Sequence, residues 1–336
     1  MASTELKKLA AEEYTVGWVC AVHPELVAAK VFLDETHAGL EQVSKHDSNS
    51  YTLGRIGRHN VVVLVLSNIG TVAAATAVRN MAHTFPEIRF ALMVGIGGGA
   101  PTKRNDIRLG DVVVSLPGDQ HGGVVQWDFG KDTQARGFRR TGFLDQCPAA
   151  LQTTIRDLRA DHEIEGNGLE EAVEQVLQAN PRLCKTYKRP DTQTDKLFMS
   201  EFVHREEYSD CSHCSSEKTH VLRRPNREEY EQTEVHYGLI ASGNAVVKNA
   251  LLRDSLASEL GVLCFEMEAA GLMSHFPCLI IRGMCDYSDS HKNKQWQGYA
   301  AMIAAAYAKK VLLKVVPIAV QRERRVLEVL DEGTSF

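Results

Sequence analysis

The chain has 336 residues, of which 44% are hydrophobic and 24% are charged, the balance expected of a protein that buries a sizeable core. Its formal charge of -5 argues against nucleic acid as the main partner, because nucleic-acid binding usually needs a basic surface. No apolar run approaches about 18 residues, so no membrane span is predicted, and the N-terminus lacks the apolar core of a secretory signal. Several cysteines lie in apolar segments, which favours reduced thiols in a cytoplasmic protein over a disulfide framework.

The first part of the chain alternates between strand and helix patterns. Residues 16–22 form an apolar run that predicts a strand, and Glu25 opens a helical pattern. The runs "YTLGRIG" and "NVVVLVL" have the alternation and spacing of a hairpin. A second helix is predicted to follow, with Ser67 and Asn68 as N-terminal caps. The apolar segments "FALMVG" and "GDVVVSL" then predict buried strands.

The second part repeats this alternation around a long polar segment. Residues 149–180 look helical, whereas residues 186–235 are polar and poor in aliphatic side chains, which we interpret as an insertion and not a second domain. Regular structure is predicted to resume at 236–243 and to continue through the helix "NAVVKNALLRDSLASEL", the strands "VLCF" and "CLIIRGM", and the helix "QGYAAMIAAAYAKKVLLKVV". Residues 317–336 are expected to form a charged tail or linker. Such alternation predicts an α/β fold, a single domain with a mixed, mostly parallel central sheet flanked by helices.

A glycine-rich segment follows the strand "FALMVG". Residues 95–100, "GIGGGA", formally satisfy a dinucleotide-binding pattern, but that pattern must open a helix. Pro101, a loop and another strand follow here, and no G-K-[ST] completes a phosphate loop. Two readings remain open: a strand end where a small ligand approaches bare backbone, and a crowded turn without a ligand.

Acidic residues end two of the predicted strands. Glu266 and Glu268 flank Met267 where a strand gives way to a helix, although acids at a helix start are often only surface charge. Asp286 follows Arg282 at the end of a strongly apolar strand. A carboxyl group at a buried strand end tends to have a raised pKa and can act as an acid, while a helix cap is the alternative.

Two other motifs carry weaker signals. Cys211 and Cys214, with His204 and His220 nearby, have metal-like spacing, but no second C-x-x-C pair accompanies them. We expect ordinary loop cysteines and predict no metal site. The segment 288–298 contains serine and histidine without a preceding nucleophile elbow, so a covering loop is expected there and not a Ser-His hydrolase.

The order of motifs along the chain resembles the nucleoside phosphorylase and nucleosidase superfamily. The matching segments are "CAVHPELVAA", "SNIGTVAAATAV", "VGIGGGAP", "RLGDVVVS", "ASGNAVV", "FEMEAAG" and "IIRGMCDYSD". This resemblance spans residues 14–316 and is interrupted by the polar insertion. The segments "GGVVQWDFGK" and "DYSDSHKNKQWQGYAA" are similar to a fungal branch found at the N-terminus of large NACHT or ankyrin signalling proteins.

The resemblance implies cleavage of the N-glycosidic bond of a nucleoside. By this match Asp286 would protonate the departing base, Glu268 would accept hydrogen bonds from the ribose hydroxyls, and Met267 would pack on the sugar. Further matched positions are expected to line the base or the pocket: Ile96, Gly97, Ser242, Gly243, Asn244, Val246, Val247 and Glu266. Residues His121, Trp127 and His291 are candidates for the 5′ end or a lid. Val246 replaces the aromatic base platform of many relatives, which leaves the stacking residue open, with Trp127, Phe129 and Trp296 as candidates.

The nucleophile distinguishes two enzymes within this superfamily. Glu25 occupies the position where the nucleosidases keep a water-activating glutamate, whereas phosphorylases have a phosphate loop there. Met93 and Ile96 match the arginine and serine that hold phosphate in phosphorylases. A carboxylate beside a phosphate dianion would be repelled, so hydrolysis is favoured.

The sequence therefore predicts a purine nucleoside N-ribohydrolase that uses water and requires no cofactor. Its expected partner is a small purine nucleoside, with no role for nucleic acid or a membrane, and the resemblance implies a homo-oligomer such as a dimer or trimer. A purine nucleoside phosphorylase is the alternative enzyme. A nucleoside-sensing module of a larger NLR-like signalling protein is the alternative of another class.

Overall fold

A computed structural model describes residues 6–135, 137–205, 207, 211, 214, 218–228, 232–274 and 276–333. The strands are β1 Val16–Cys20, β2 Glu35–Thr36, β3 Tyr51–Ile56, β4 His59–Val65, β5 Phe90–Gly99, β6 Val112–Ser115, β7 Val124–Gln126, β8 Gly130–Thr133, β9 Gly137–Arg140, β10 Val235–Ser242, β11 Val262–Glu266 and β12 Cys278–Asp286. The helices are α1 His23–Phe32, α2 Thr71–Thr84, α3 Ala149–Glu165, α4 Leu169–Ala179, α5 Cys184–Tyr187, α6 Ala250–Leu260, α7 Ala269–Leu272, α8 Gln297–Lys314, α9 Pro317–Arg322 and α10 Val326–Gly333.

A central sheet organises these elements in the order β11-β10-β6-β12-β5-β1-β4-β3-β2. Strands β12, β5, β1 and β4 run parallel at its centre, and β3 and β2 add an antiparallel edge. The last residues of β5 also pair antiparallel with β11, so the sheet curves back on itself there. The central strands are buried on both faces, which is why they read as continuous apolar runs. The predicted α/β fold with its mixed, mostly parallel sheet is confirmed.

Helix α8 packs across one face of the central strands. Alanine is its commonest residue, with six of 18 positions, and most of its residues are buried. Small side chains let the helix axis approach the sheet closely, and Gly283 on β12 completes the fit. A Cβ at Gly283 would overlap the carbonyl oxygen of Ala300. The predicted strongly helical segment thus forms the main contact layer of the core.

Two helices begin at residues that differ from the predicted ones. The hairpin formed as expected, from β3 and β4. Helix α2 begins only at Thr71, with Gly70 at the N-cap and no side-chain cap, so the expectation for Ser67 and Asn68 was wrong. Helix α6 begins at Ala250, where the Asn249 side chain accepts hydrogen bonds from two backbone N–H groups, and residues 244–249 stay extended or turned.

The polar insertion and the last residues both pack on the domain. Over its described residues the insertion contains short helical turns and an isolated bridge between Phe198 and Val221. Residues after Pro317 form α9 and α10 and not a free tail, and Val326 is fully buried against the body. Within the described residues no helix is both long and apolar enough to cross a membrane.

The close approach of α8 to β12 requires a residue without a side chain at position 283. We expect Gly283→Ala to lower the free energy of unfolding by about 1–3 kcal/mol, because the new methyl group must push α8 away from the sheet. The control is Gly39→Ala, since a Cβ at exposed Gly39 meets no atom within 4 Å. Urea unfolding monitored by circular dichroism measures both, and equal midpoints for the two variants would contradict the packing argument.

Candidate active site

A cavity of about 200 Å³ opens where the carboxyl ends of several strands converge. This position is the usual one for a ligand site in an α/β sheet. Of the residues predicted for the site, the cavity wall contains Glu25, Ile96, Gly97, Val246, Val247, Glu266, Met267 and Glu268. The sequence analysis did not assign to it the further lining residues Ile69, Phe265, Arg282, Ser288, Lys292 and Gln297.

Glu25 is held in the first turn of α1, directly after β1. Its Oε2 accepts hydrogen bonds from the backbone N–H groups of Ala21 and Val22, at 2.6 and 3.0 Å. Its Oε1 accepts from the N–H of Ile96 at 2.8 Å, which links α1 to the end of β5. The side chain is buried, and burial is the main cause that raises the pKa of Glu25 above its ordinary value. A carboxylate with a raised pKa is better suited to accept a proton from water.

Arg282 on β12 is the charge centre of the site. Its Nη2 donates hydrogen bonds to Glu266 and, at 3.1 Å, to Glu268, and its Nη1 lies 3.8 Å from Glu25 Oε1. All four side chains are nearly inaccessible to solvent. Burying several carboxylates together is costly unless a cation compensates them, and Arg282 supplies that cation.

Glu268 sits at the N-cap of the short helix α7, beneath the mouth of the cavity. Its Oε1 accepts a long hydrogen bond from the Gly70 N–H at 3.4 Å. Burial, together with the nearby Glu266 and Glu25 carboxylates and against the pull of Arg282, raises the pKa of Glu268 to about 7. A side chain that is held only weakly at one oxygen is free to accept hydrogen bonds from a ligand.

Asp286 lies at the end of β12 and is not among the residues that line this cavity; it lines a neighbouring cavity of about 420 Å³, which shares Cys285 with the first. Its Oδ1 accepts a hydrogen bond from the Ser288 N–H at 2.9 Å, and its Oδ2 pairs with Lys292 Nζ at 2.9 Å. Lys292 itself faces the cavity. Although burial opposes it, the Asp286 carboxylate raises the pKa of Lys292 above its usual value, so the lysine carries a proton. Lys292 was not among the predicted site residues.

The glycines of β5 lie between the carboxylates of Glu25 and Asp286, and they belong to the strand and not to a turn. A Cβ at Gly95 would overlap Glu25 Oε1 and lie 2.5 Å from Arg282 Nη1. A Cβ at Gly98 would overlap Ser288 Oγ and lie 2.7 Å from Asp286 Oδ1. The bare backbone therefore leaves room for the charged side chains of the site, in addition to exposing Gly97 to the cavity.

Residues 242–244 support the cavity mouth from behind. Ser242 Oγ accepts a hydrogen bond from the Ala270 N–H and is fully buried. Gly243 packs against Trp127, where a Cβ would lie 2.5 Å from the indole nitrogen. Asn244 Oδ1 accepts hydrogen bonds from the N–H and hydroxyl of Thr71, which ties this segment to α2. None of the three is on the cavity wall itself.

Several predicted residues lie elsewhere. His121 lines a separate surface cavity on the far side of β10, with Tyr237 and Leu239. His291 lines a cavity of about 420 Å³ next to Asp286. Met93 is buried in the core and does not share the cavity with Ile96.

The three candidates for stacking on the base, Trp127, Phe129 and Trp296, are not among the residues that line the cavity. Trp127 supports Gly243, Phe129 is largely exposed, and Trp296 is buried with its Nε1 donating to Thr194. The aromatic side chain on the cavity wall is Phe265, the residue before Glu266 on β11. An aromatic at a buried strand end is hard to distinguish from a core residue in the sequence, which is why it was missed.

The fold and the cavity can now be compared with known proteins. The model of the phosphorylase superfamily matches residues 15–317. The chain belongs to that superfamily. A relative from the fungus Hyaloscypha variabilis, described as a "nucleotide-binding leucine-rich repeat (NLR)-like protein", is 48% identical over 318 residues. That match covers 95% of this chain but 31% of the relative, so this superfamily member corresponds to about a third of that protein's length.

Solved structures of low sequence identity share the fold. The 5′-methylthioadenosine/S-adenosylhomocysteine nucleosidase of S. pneumoniae, solved with a transition-state inhibitor, is 19% identical with a TM-score of 0.56, covering 90% of this chain and 100% of that one. The corresponding nucleosidase of Helicobacter pylori, solved with 5′-methylthioadenosine in its active site, is 15% identical with a TM-score of 0.55, covering 89% and 98%. The futalosine hydrolase of H. pylori is 17% identical with a TM-score of 0.53, covering 89% and 97%.

The raised pKa of Glu268 predicts how stability changes with pH. In the folded protein this carboxyl keeps its proton up to about pH 7, whereas in the unfolded chain it loses it near 4.5. The folded state thus binds more protons in this window, and stability falls as pH rises through it. We expect the unmodified chain to lose roughly 1–3 kcal/mol relative to Glu268→Gln across that window.

Urea unfolding at a series of pH values measures this difference. Glu41→Gln is the control, because the Glu41 side chain is 84% exposed and far from the cavity. Parallel stability curves for the unmodified chain and Glu268→Gln would show that Glu268 does not hold a proton in the folded protein.

Proposed function

We propose that the protein is a purine nucleoside N-ribohydrolase, which cleaves a purine ribonucleoside with water to give free base and ribose. The observation that carries the proposal is the position of Glu25. Its carboxylate lines the cavity and already accepts the backbone N–H of Ile96, a donor that would otherwise be available to an anion. The Glu25 carboxylate can accept a proton from water, and it occupies a position where a bound phosphate would need hydrogen-bond donors.

The proposed reaction begins with Glu25 taking a proton from water as the water oxygen attacks C1′ of the ribose. The bond between C1′ and the base nitrogen breaks, and its electron pair leaves with the purine. A proton reaches the departing purine from the pair formed by Asp286 and Lys292, of which Lys292 lines the cavity. The proton held by Glu25 then returns to the pair through solvent. Glu268 and Met267 bind the ribose, with Glu268 accepting from its hydroxyls.

The charge around the nucleophile position supports water over phosphate. Arg282 is the nearest cation, but Glu266, Glu268 and Glu25 already surround it. A phosphate dianion brought here would meet more negative than positive charge in a partly dry site. Repulsion between unit charges at about 4 Å is of the order of a few kcal/mol in such surroundings. Water carries no such penalty.

The cavity walls support a flat, largely apolar base at one end and a polar sugar at the other. Phe265, Val246 and Val247 form the apolar side, and the carboxylates form the polar side. The solved nucleosidases of the same fold, among them one that contains 5′-methylthioadenosine, are consistent with a purine nucleoside as the ligand class. The expected homo-oligomer stays a prediction.

We expect Glu25→Gln and Asp286→Asn each to lower kcat by about 10²–10⁴-fold, because each removes one proton-transfer group. Release of free base from inosine and adenosine, followed by chromatography in phosphate-free buffer, measures the effect. The surface variant Glu41→Gln serves as the control and is expected to keep full activity. Near-normal turnover in either site variant would remove that residue from its proposed role.

The same assay distinguishes the two enzymes. A hydrolase yields ribose at a rate that added phosphate does not change. Strict dependence on phosphate, with ribose 1-phosphate as the product, would replace the hydrolase proposal with a purine nucleoside phosphorylase.

Lys292 gives a separate prediction about the proton supply. Lys292→Met removes the ammonium group that pairs with Asp286, so the departing base must draw its proton from solvent, which supplies protons more readily in acid. We expect kcat/KM to fall at neutral pH and to recover partly in acid. A purely structural role for Lys292 would lower activity equally at all pH values, and measuring the pH profile distinguishes the two.

The relative described as an NLR-like protein supports a second candidate function, a module that senses nucleosides within a larger signalling protein. Such a module would bind purine nucleosides without releasing base. Calorimetric binding by an otherwise inactive chain, with Asp286→Asn changing only the affinity, would favour this function over catalysis.

A further inference from the structure

The polar insertion brings thiol and imidazole groups together beside the active-site strand. The ligand atoms of His204, Cys214 and His291 all lie within 4.8 Å of one another. Cys214 Sγ is 3.3 Å from His204 Nδ1. Cys211 lies outside that group of three, but its Sγ is 3.8 Å from the same nitrogen and 3.5 Å from the His291 carbonyl oxygen. His220, which the sequence had associated with the cysteines, instead stacks its ring on Phe202 at 4.3 Å.

We propose that these four side chains, Cys211, Cys214, His204 and His291, form a structural zinc site. Two thiolates and two imidazoles are the ligand set of many closed, tetrahedral zinc centres. With bond lengths of about 2.3 Å to sulfur and about 2.0 Å to nitrogen, neighbouring ligand atoms in a tetrahedron lie roughly 3.5 Å apart. The two sulfur–nitrogen distances above lie on either side of that value.

His291 provides an independent argument for a ligand. The residue is only 6% exposed, and among the described residues neither ring nitrogen has a hydrogen-bond partner. A buried imidazole without partners is costly, and a metal ion would satisfy one of its nitrogens. Phe198 stacks on the ring at 4.0 Å and fixes its plane, and the Asp289 carboxylate lies 3.9 Å from Nδ1.

The other cluster of potential ligands in the described part of the chain shows a useful contrast. Asp111, Glu234 and His236 also lie close together. There, however, Arg227 donates to both Asp111 oxygens and His236 bonds to one of them. A protein cation already fills that centre, so it has no need of a metal. Among the residues that the structure describes, no lysine or arginine side chain bonds to the ligand atoms of His204, Cys214 or His291.

Zinc binding would release the two thiol protons to solvent and would link the insertion to the strand β12. Cys211, Cys214 and His204 belong to the insertion, whereas His291 follows Asp286 by five positions in the sequence. A C-x-x-C pair in a hydrophilic segment gains its remaining ligand from a distant part of the chain, which is why spacing alone did not reveal the site.

The test is the metal content of the purified full chain after expression with zinc. By inductively coupled plasma mass spectrometry we expect about one zinc ion per unmodified chain. The double variant Cys211→Ser/Cys214→Ser and the variant His291→Gln are expected to contain little zinc, and Cys184→Ser is expected to contain as much zinc as the unmodified chain. Cys184 is a suitable control because its thiol contacts Leu177 in another part of the fold.

A second measurement keeps the proposal testable if a variant fails to fold. Cobalt(II) added to metal-free unmodified chain is expected to give the thiolate charge-transfer and visible bands of tetrahedral coordination, and chelation is expected to lower its melting temperature. Zinc-free protein that also develops no such cobalt spectrum would overturn the proposal. Both readouts are independent of turnover, so they test the zinc site separately from the proposed nucleosidase activity.

Discussion

The candidate site depends on one buried guanidinium. Arg282 lies in the middle of the central strand β12 and compensates the carboxylates of Glu25, Glu266 and Glu268, which come from α1, β11 and the start of α7. Without this cation, acids from separate elements could not be buried together at such short range. The glycine at position 95 follows from the same constraint, because a side chain at this position would occupy the space where Arg282 and Glu25 approach each other.

Much of the fold was predictable because its signals are local. Buried parallel strands and an alanine-rich helix carry their pattern in consecutive residues, and the acids at their ends could be read directly. The N-cap of α2 could not be predicted in this way, because Gly70 takes that position with a φ of 112° and its N–H points toward Glu268. Similarly, residues 244–249 were predicted as the first part of a helix, but Asn244 bonds to Thr71 and the segment lies outside the helix, with Val246 and Val247 on the cavity wall. In both places contacts across the fold override local preference.

One misplacement could have been avoided from geometry alone. Met93 and Ile96 were paired as residues that replace phosphate ligands, yet they are an odd number of positions apart on one strand. Successive side chains of a strand point to opposite faces, so both could not line one cavity. Met93 accordingly lies in the core, and Ile96 contributes to the cavity both its side chain and the N–H that Glu25 accepts. The argument against phosphate therefore rests on Glu25 and on the surrounding carboxylates.

The role of the insertion follows from where it is attached. A polar segment cannot build a core of its own, so it must be fixed by polar contacts with the domain. Two of these contacts reach the residues after β12: Arg224 donates to the Tyr287 hydroxyl, and the backbone N–H of His204 donates to Ser290 Oγ. The same short stretch carries Lys292, whose ammonium group pairs with Asp286. An insertion anchored there, by zinc as proposed, would hold in place the segment on which the proposed proton supply depends.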